Sequence, residues 1–270
     1  MSNIAVAVLT RGYQDIRKYN TLVKRNISIA KNLGDLKNAD VLIFHEGNIL
    51  PYHQEYISKF TPNLNLVFKC IKEYAFKDEK KSIKVFEPTR AFGLNYRHMC
   101  SFWFVDFWKF VEEYDMILRI DEDCIINFYI PELFNNLQNK TAIYGTWIRD
   151  HDFVTHGLNK FTQQFIKENI QTSSQIISHS PSGPYTNVIG FNLKALRENE
   201  HLQKYIKKVG IMDCIYAFRW GDLPLWGEAL FYFFHPNSYS KSDKIKYFHG
   251  SHNTYVGETT NSQRLKRMMF

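Results

Sequence analysis

A chain of 270 residues with 44% apolar and 16% aromatic residues can bury a sizeable core, and its 23% charged residues exclude global disorder. Its 34 Lys and Arg against 27 Asp and Glu leave a net charge of +7, which suits an acidic ligand such as a nucleoside diphosphate, an anionic membrane face or a nucleic acid without selecting one. The opening MSNIAVAVLTRG has neither the basic segment nor the cleavage site of a signal peptide, and no stretch reaches the roughly 20 apolar residues of a membrane span, so a cytoplasmic protein is expected.

In chain order, Ile4 to Leu9 is a continuous apolar run, the pattern of a strand buried on both faces. Ile16, Tyr19, Val23, Ile27 and Ala30 then recur at helical spacing, with Gly34 at the C-terminal cap position. Val41 to Phe44 is a second buried strand ending at His45-Glu46-Gly47. This β-α-β opening predicts an α/β fold with a central, mostly parallel sheet whose ligands lie at the carboxyl ends of its strands. LNLVFK predicts a third strand and KVFE, before Pro88, a fourth. Leu94 to Glu113 has no Gly or Pro and predicts one long aromatic helix, and Met116 to Ile120 a further buried strand running into Asp121-Glu122-Asp123. Pro131 opens a helix, and Ala142 to Ile148 reads as a strand. Asp150 to Pro184 is polar and poorly periodic, which predicts loops and irregular helix along a cleft. No linker divides the chain, so residues 1–270 are expected to form one domain, with 1–125 binding the ligand's nucleotide half and 126–270 an acceptor.

Cys70, Cys100, Cys124 and Cys214 form no C-x-x-C pair and read as reduced structural thiols. The glycosylation sequons at Asn26 and Asn139 read as chance matches without a secretory signal.

Two carboxylates one residue apart at a strand end carry the main chemical signal. In extended backbone alternate side chains share a face, so Asp121 and Asp123 are expected to converge while Glu122 turns away. Hard divalent cations take oxygen ligands and bridge to diphosphates. The competing reading is an acidic turn after a strand, and position after a buried strand favours the metal.

AFGLNYRHMCSFWF (Ala91 to Phe104), YDMILRIDEDCII (Tyr114 to Ile126) and FRWGDLPLWGEALFYF (Phe218 to Phe233) resemble, in order, three blocks of the fungal-type Golgi α-1,2-mannosyltransferases. The resemblance implies a GT-A glycosyltransferase fold, a Rossmann-like nucleotide half, a GDP-mannose donor, Mn²⁺ (or Mg²⁺) and transfer with retention to a glycan or glycolipid acceptor. By position it implies a metal held by Asp121, Asp123 and His249, the last in Lys246-Tyr247-Phe248-His249. It places Thr10, Arg11, Glu46, Tyr96, Arg97, Asp121, Arg219 and Trp220 at the nucleotide sugar. Asp222, in Arg219-Trp220-Gly221-Asp222-Leu223-Pro224, is a good helix N-cap and also the catalytic candidate that could orient an acceptor hydroxyl.

The departures are the missing membrane anchor and a missing glutamate. The family's Ser-Asn-Phe-Glu falls on Thr186-Asn187-Val188-Ile189, and the glutamate before its Arg-Trp-Gly-Asp falls on Phe218, which weakens any double displacement needing a carboxylate nucleophile. Rival readings are a UDP- or dTDP-sugar donor, a two-metal nuclease or phosphotransferase, and a non-catalytic glycan- or nucleic-acid-binding protein. No nucleic acid is expected as partner. The basic C-terminus, with Lys241, Lys244, Lys246, Arg264, Lys266 and Arg267, is expected to close over a diphosphate or touch an anionic membrane peripherally.

Overall fold

The computed structural model describes residues 2–36, 38–170 and 177–257. Strand β1 (Ile4–Leu9) leads through a short 3₁₀ turn into α1 (Asn20–Asn32), followed by β2 (Asp40–His45), α2 (Pro51–Ser58) and β3 (Asn65–Cys70). Gly34, past the end of α1, has φ +60°, and a Cβ there would meet the Tyr129 hydroxyl. Of the expected stripe Tyr19 and Val23 are buried, Ile27 is half-buried and Ala30 is exposed, and the buried face widens to take in Leu22, Arg25, Asn26 and Ile29. Polar side chains can occupy that face because it lies against strand-end carbonyls, which Arg25 caps at Ala7 and Ile120. The sequon residue Asn26 is buried among them.

KVFE forms no strand: Pro88 lacks an amide donor and starts a 3₁₀ turn at Glu87–Thr89, leaving Phe86 N–H bonded to Ala217 O at 2.8 Å. Helix α3 (Leu94–Ser101) is α-helical only to Ser101, then widens into a π segment over Phe102–Asp106 and tightens to 3₁₀ over Phe107–Phe110. The expected helix therefore stops short of Glu113. Phe102, Trp103, Phe104 and Phe107 are all buried, and inserting one residue per turn lets rings that would encircle a regular helix share one packed side.

After β4 (Met116–Ile120) come β5 (Cys124–Ile126), α4 (Ile130–Leu137), β6 (Ala142–Tyr144) and β7 (Trp147–Arg149). The single strand expected over Ala142 to Ile148 bends at Gly145, whose Cβ position lies 3.0 Å from Ile245, and splits between two sheets. In the segment expected to be irregular stands a regular 12-residue helix, α5 (Leu158–Asn169). Then follow β8 (Ser182–Pro184), β9 (Val188–Asn192), α6 (Leu193–Glu198), α7 (Glu200–Ile211), α8 (Cys214–Phe218), α9 (Asp222–Phe233), β10 (Tyr239–Lys241), β11 (Tyr247–His249) and β12 (Thr254–Val256).

The main sheet has seven strands in the order β10-β6-β9-β4-β1-β2-β3. All its pairings are parallel except those of β9, which runs against β4 and β6. Reversal of β9 brings its beginning, residues 185–187, beside the carboxyl end of β4, where Asp121 N–H bonds Asn187 O at 2.8 Å. Past β4 the chain turns out of the main sheet and pairs in a second one, β12-β11-β5. Helix α9 approaches β8 so closely that a Cβ on Gly227 would lie 1.7 Å from Ser182 O. That contact fixes the start of α9, and with it Asp222, over the same edge of the sheet. No helix among the described residues is long and apolar enough to cross a membrane.

Candidate metal and nucleotide-sugar site

Asp121, Glu122 and Asp123 leave the end of β4 in three directions. They form a turn, closed by Cys124 N–H to Asp121 O at 3.1 Å, so the alternation of extended backbone does not apply, although Asn187 Nδ2, 3.1 Å from Asp121 Oδ2 and 3.3 Å from His249 Nε2, links Asp121 to the neighbourhood of Asp123.

Asp121 is gripped by Arg119, with Nε at 2.8 Å and Nη2 at 3.2 Å, and by Asn187 Nδ2 at 3.1 Å. Burial pushes its carboxyl upward and the Arg119 guanidinium opposes this. Arg119 also donates to Asp222 at 2.5 Å and lies 4.4 Å from the Trp103 ring centroid. Glu122 accepts from Thr10 Oγ1 at 2.6 Å and Tyr13 OH at 2.9 Å, while burial and Glu122 push the Tyr13 phenol up to about 12.

Asp123 takes the third direction. Its Oδ2 accepts from Ser251 N–H at 2.8 Å and lies 3.5 Å from His249 Nε2. His249 is buried, its Nδ1 lies 3.0 Å from Tyr185 OH, and burial pushes its imidazole below the ordinary value, toward the neutral form that can ligate a cation. A carboxylate oxygen of Asp123, a ring nitrogen of His249 and the sulfur of Cys124 all lie within 4.8 Å of one another, which fits a divalent cation. Asp121, the other expected metal ligand, is not one of these three; its oxygens accept from Arg119 and Asn187.

The nucleotide-side residues separate into two groups. Thr10 and Arg11 follow β1 and Glu46 follows β2, side by side at the carboxyl edge, as Thr10 N–H bonds Phe44 O at 3.0 Å. Arg11 is exposed, its guanidinium 5.7 Å from the Tyr13 ring centroid, and burial raises the carboxyl of Glu46. Arg97, by contrast, is buried and donates to the carbonyls of Thr89, Phe92 and Tyr216. Trp220 is buried with its indole N–H on His156 O at 2.8 Å. Both have their donors on backbone carbonyls.

Arg219, in a left-handed conformation at φ +64°, stacks between Phe92 (4.3 Å) and Tyr96 (4.6 Å). It donates to Asp150 at 2.9 Å and to Tyr96 OH at 2.6 Å. Asp222 is the first residue of α9 and Gly221 its N-cap, so the expected cap role is not taken; the carboxylate is buried against Arg119. The sequence reading missed Arg119, Tyr13, Tyr185, Asn187 and Ser251. Only Arg119 carries a signal, being a cation inside an apolar strand, where a charge requires a partner. Residues 258–270, with the basic tail's Arg264, Lys266 and Arg267, lie outside the described residues.

No protein-family model matches the sequence, and no curated protein matches it. Solved structures do match by fold. The mannosyltransferase Ktr4p from S. cerevisiae superposes with a TM-score of 0.76 at 17% identity, over 92% of this chain and 70% of that one. Core-mannan synthase A (CmsA/Ktr4) from Aspergillus fumigatus, in its Mn/GDP form, gives 0.75 at 15% identity, over 92% and 75%. Mouse xyloside xylosyltransferase 1 gives 0.53 at 15% identity, over 89% and 85%. With its mostly parallel seven-stranded sheet flanked by helices, the chain has the α/β GT-A glycosyltransferase fold.

Proposed function

We propose that this protein is a metal-dependent glycosyltransferase that takes a nucleotide sugar, GDP-mannose first among donors, and passes the sugar to a hydroxyl of a glycan or glycolipid. The observation that carries the reading is the Asp123–His249 corner at the carboxyl edge of a GT-A sheet, beside the open ends of β1 and β2. The fold neighbours described as a Mn/GDP form and as a GDP complex support the choice of metal and nucleotide. Asp123 and His249 would hold Mn²⁺ or Mg²⁺, which would supply positive charge to a departing diphosphate. Arg11 and Glu46 contact the nucleotide. Residues 1–125 form the donor half and 126–270 the acceptor half of one domain.

Asp222 acts by position: it holds Arg119, which aims Asp121. Ile189, which falls where the family has its glutamate, is buried, and Asp121, Glu122 and Asp222 are each engaged by other side chains. That arrangement favours retention by same-face attack of the acceptor hydroxyl, its proton leaving with the diphosphate, over a covalent carboxylate intermediate. The basic tail is proposed to close over the donor diphosphate or to touch an anionic membrane that carries a lipid-linked acceptor.

The test is a panel of GDP-, UDP- and dTDP-sugars assayed with Mn²⁺ and with EDTA. GDP-mannose turnover that disappears in EDTA is expected. A tenfold preference for a UDP donor, about 1.4 kcal/mol, would overturn the mannose assignment, and full turnover in EDTA would overturn the metal.

A further inference from the structure

The donor group around Asp123 and His249 contains a sulfur, and sulfur changes which metals a site selects. Strands β5 and β11 pair antiparallel with Cys124 directly opposite His249, so their side chains lie on the same face of the small sheet. Cys124 Sγ is 4.0 Å from Asp123 Oδ1, and Asp123 Oδ2 is 3.5 Å from His249 Nε2. A tetrahedral ion with bonds of roughly 2.0–2.3 Å holds its donors about 3.3–3.8 Å apart. The three atoms, all within 4.8 Å of one another, need to close by no more than about 1.5 Å to surround one ion.

A second observation lies behind the thiol. Arg25 is fully buried and donates only to neutral oxygens: Ile120 O at 2.9 Å, Asn26 Oδ1 at 2.8 Å and Ala7 O at 3.1 Å. Among the described residues no ion pair involving Arg25 is present, and an uncompensated charge at that depth is costly. Negative charge on Cys124, Asp121 or Glu122 would act on Arg25, while burial, Asp121 and Asp123 push the Cys124 thiol itself well upward, so the thiolate belongs to the metal-bound state. A buried cysteine ordinarily behaves as a small apolar residue. Cys124 does border the cluster of Ile126 and Tyr247, but it also faces an imidazole and a carboxylate.

We propose that Cys124 is the third protein ligand of the metal site, making it a carboxylate–imidazole–thiolate site that prefers borderline-soft divalent ions such as Zn²⁺ and Co²⁺ to Mg²⁺. On binding, the S–H bond breaks, the sulfur–metal bond forms and the proton passes to solvent. The thiolate offsets the charge of Arg25 on one side and of the ion on the other. The fourth position faces the exposed side of Asp123, where a diphosphate oxygen or water can bind.

This inference rests on the reading of the Asp123–His249 corner as a metal site, and a titration of metal-free protein with Co²⁺ separates the two claims. Binding with a near-ultraviolet thiolate-to-cobalt absorption is expected, retained in Cys70→Ser and Cys214→Ser and lost in Cys124→Ser. Zn²⁺ affinity should fall at least tenfold in Cys124→Ser while Mn²⁺ affinity moves less than about threefold, since thiolate favours the softer ion. Co²⁺ binding that is lost in His249→Ala but shows no thiolate absorption overturns the role of Cys124 and leaves the metal reading standing. Absence of Co²⁺ binding, or binding indifferent to His249→Ala, overturns both. Should Cys124→Ser fail to fold by circular dichroism, the wild-type spectrum still decides: no thiolate band, no ligand.

Discussion

Two stretches at the carboxyl edge of the sheet carry the rarest sequence patterns, and they use their polar atoms differently. Around Asp123 and His249, oxygen, nitrogen and sulfur donors gather while keeping an open side, with Asp123 partly exposed and Arg11 exposed. Around Arg219 and Asp222, the carboxylate of Asp222 is closed onto Arg119, the Trp220 indole onto a carbonyl, and the Arg219 guanidinium onto Asp150 and Tyr96. The groups of the first region are bonded too, His249 to Tyr185, Asn187 and Ser251 and Asp123 to Ser251, but Asp123 keeps a partly exposed side, whereas Asp222 is buried against Arg119. Unusual residue strings can therefore mark either role, and what separates the two regions is whether a carboxylate keeps an exposed side.

The sharpest way to break this contrast is to cut the strut between the regions. Arg119→Met leaves Asp121 and Asp222 without the cation that faces both, and removing one partner of a buried ion pair costs about 3–5 kcal/mol, read by urea unfolding. Arg119→Lys should recover little, because an ammonium cannot bridge two carboxylates as a forked guanidinium does. The penalty should shrink in acid, where Asp121, already raised by burial, takes up a proton. Arg97→Ala should cost about 3 kcal/mol of stability for its lost bonds to buried carbonyls and leave donor KM unchanged. A stable Arg119→Met protein, or an Arg97→Ala protein with raised KM, would reverse the assignment of the second region to structure.

The open region should behave oppositely. Asp123→Ala and His249→Ala are expected to keep the fold by circular dichroism and lose more than about a hundredfold in metal-dependent turnover, as loss of a cation worth several kcal/mol requires. Arg11→Ala, an exposed side chain beside Tyr13 and Glu122, should raise donor KM about tenfold, about 1.4 kcal/mol, with little change in urea midpoint.

Sequence made the strands legible and their ends less so. Ile4–Leu9, Asp40–His45 and Met116–Ile120 announce themselves because strands buried on both faces must be apolar throughout. The partners of Asp121 and Asp123 could not be read, since a turn and a strand end share the same residues and only the folded chain brings Arg119 and Asn187 to one and Ser251 to the other. Helix α5 escaped notice because its buried face includes Asn159 and Thr162, which bond inside the protein and blur the apolar period. The aromatic helix was visible, but its π turn depends on ring packing that no spacing rule encodes. His249 stood out from ten histidines only through the resemblance, and the register that sets Cys124 opposite it is a property of the folded sheet.

The smallest expected effect tests whether the closed region is held together by charge as well as by packing. Helix α9 carries Glu228, fully buried, whose oxygens accept from Asn159 Nδ2 at 3.3 and 3.1 Å and lie 3.1 Å from His179 Nε2. Glu228 raises the pKa of His179 above its ordinary 6.5 through direct contact, although burial opposes this. A histidine whose folded pKa is raised binds its proton more tightly in the folded state. Its stabilisation is full below about 6.5 and is lost as pH rises through the folded value. The same residues tie the stretch at 177–179 to α5 and α9, since Asn159 also bonds His179 N–H and Tyr232 OH bonds Ile177 O. Urea unfolding at pH 6 and pH 8.5 should therefore show about 1 kcal/mol lost by the wild type in this window beyond that lost by His179→Gln, whose neutral amide cannot titrate. Identical slopes for the two proteins would mean that the Asn159 bonds alone satisfy Glu228 and that the closed region owes its order to packing.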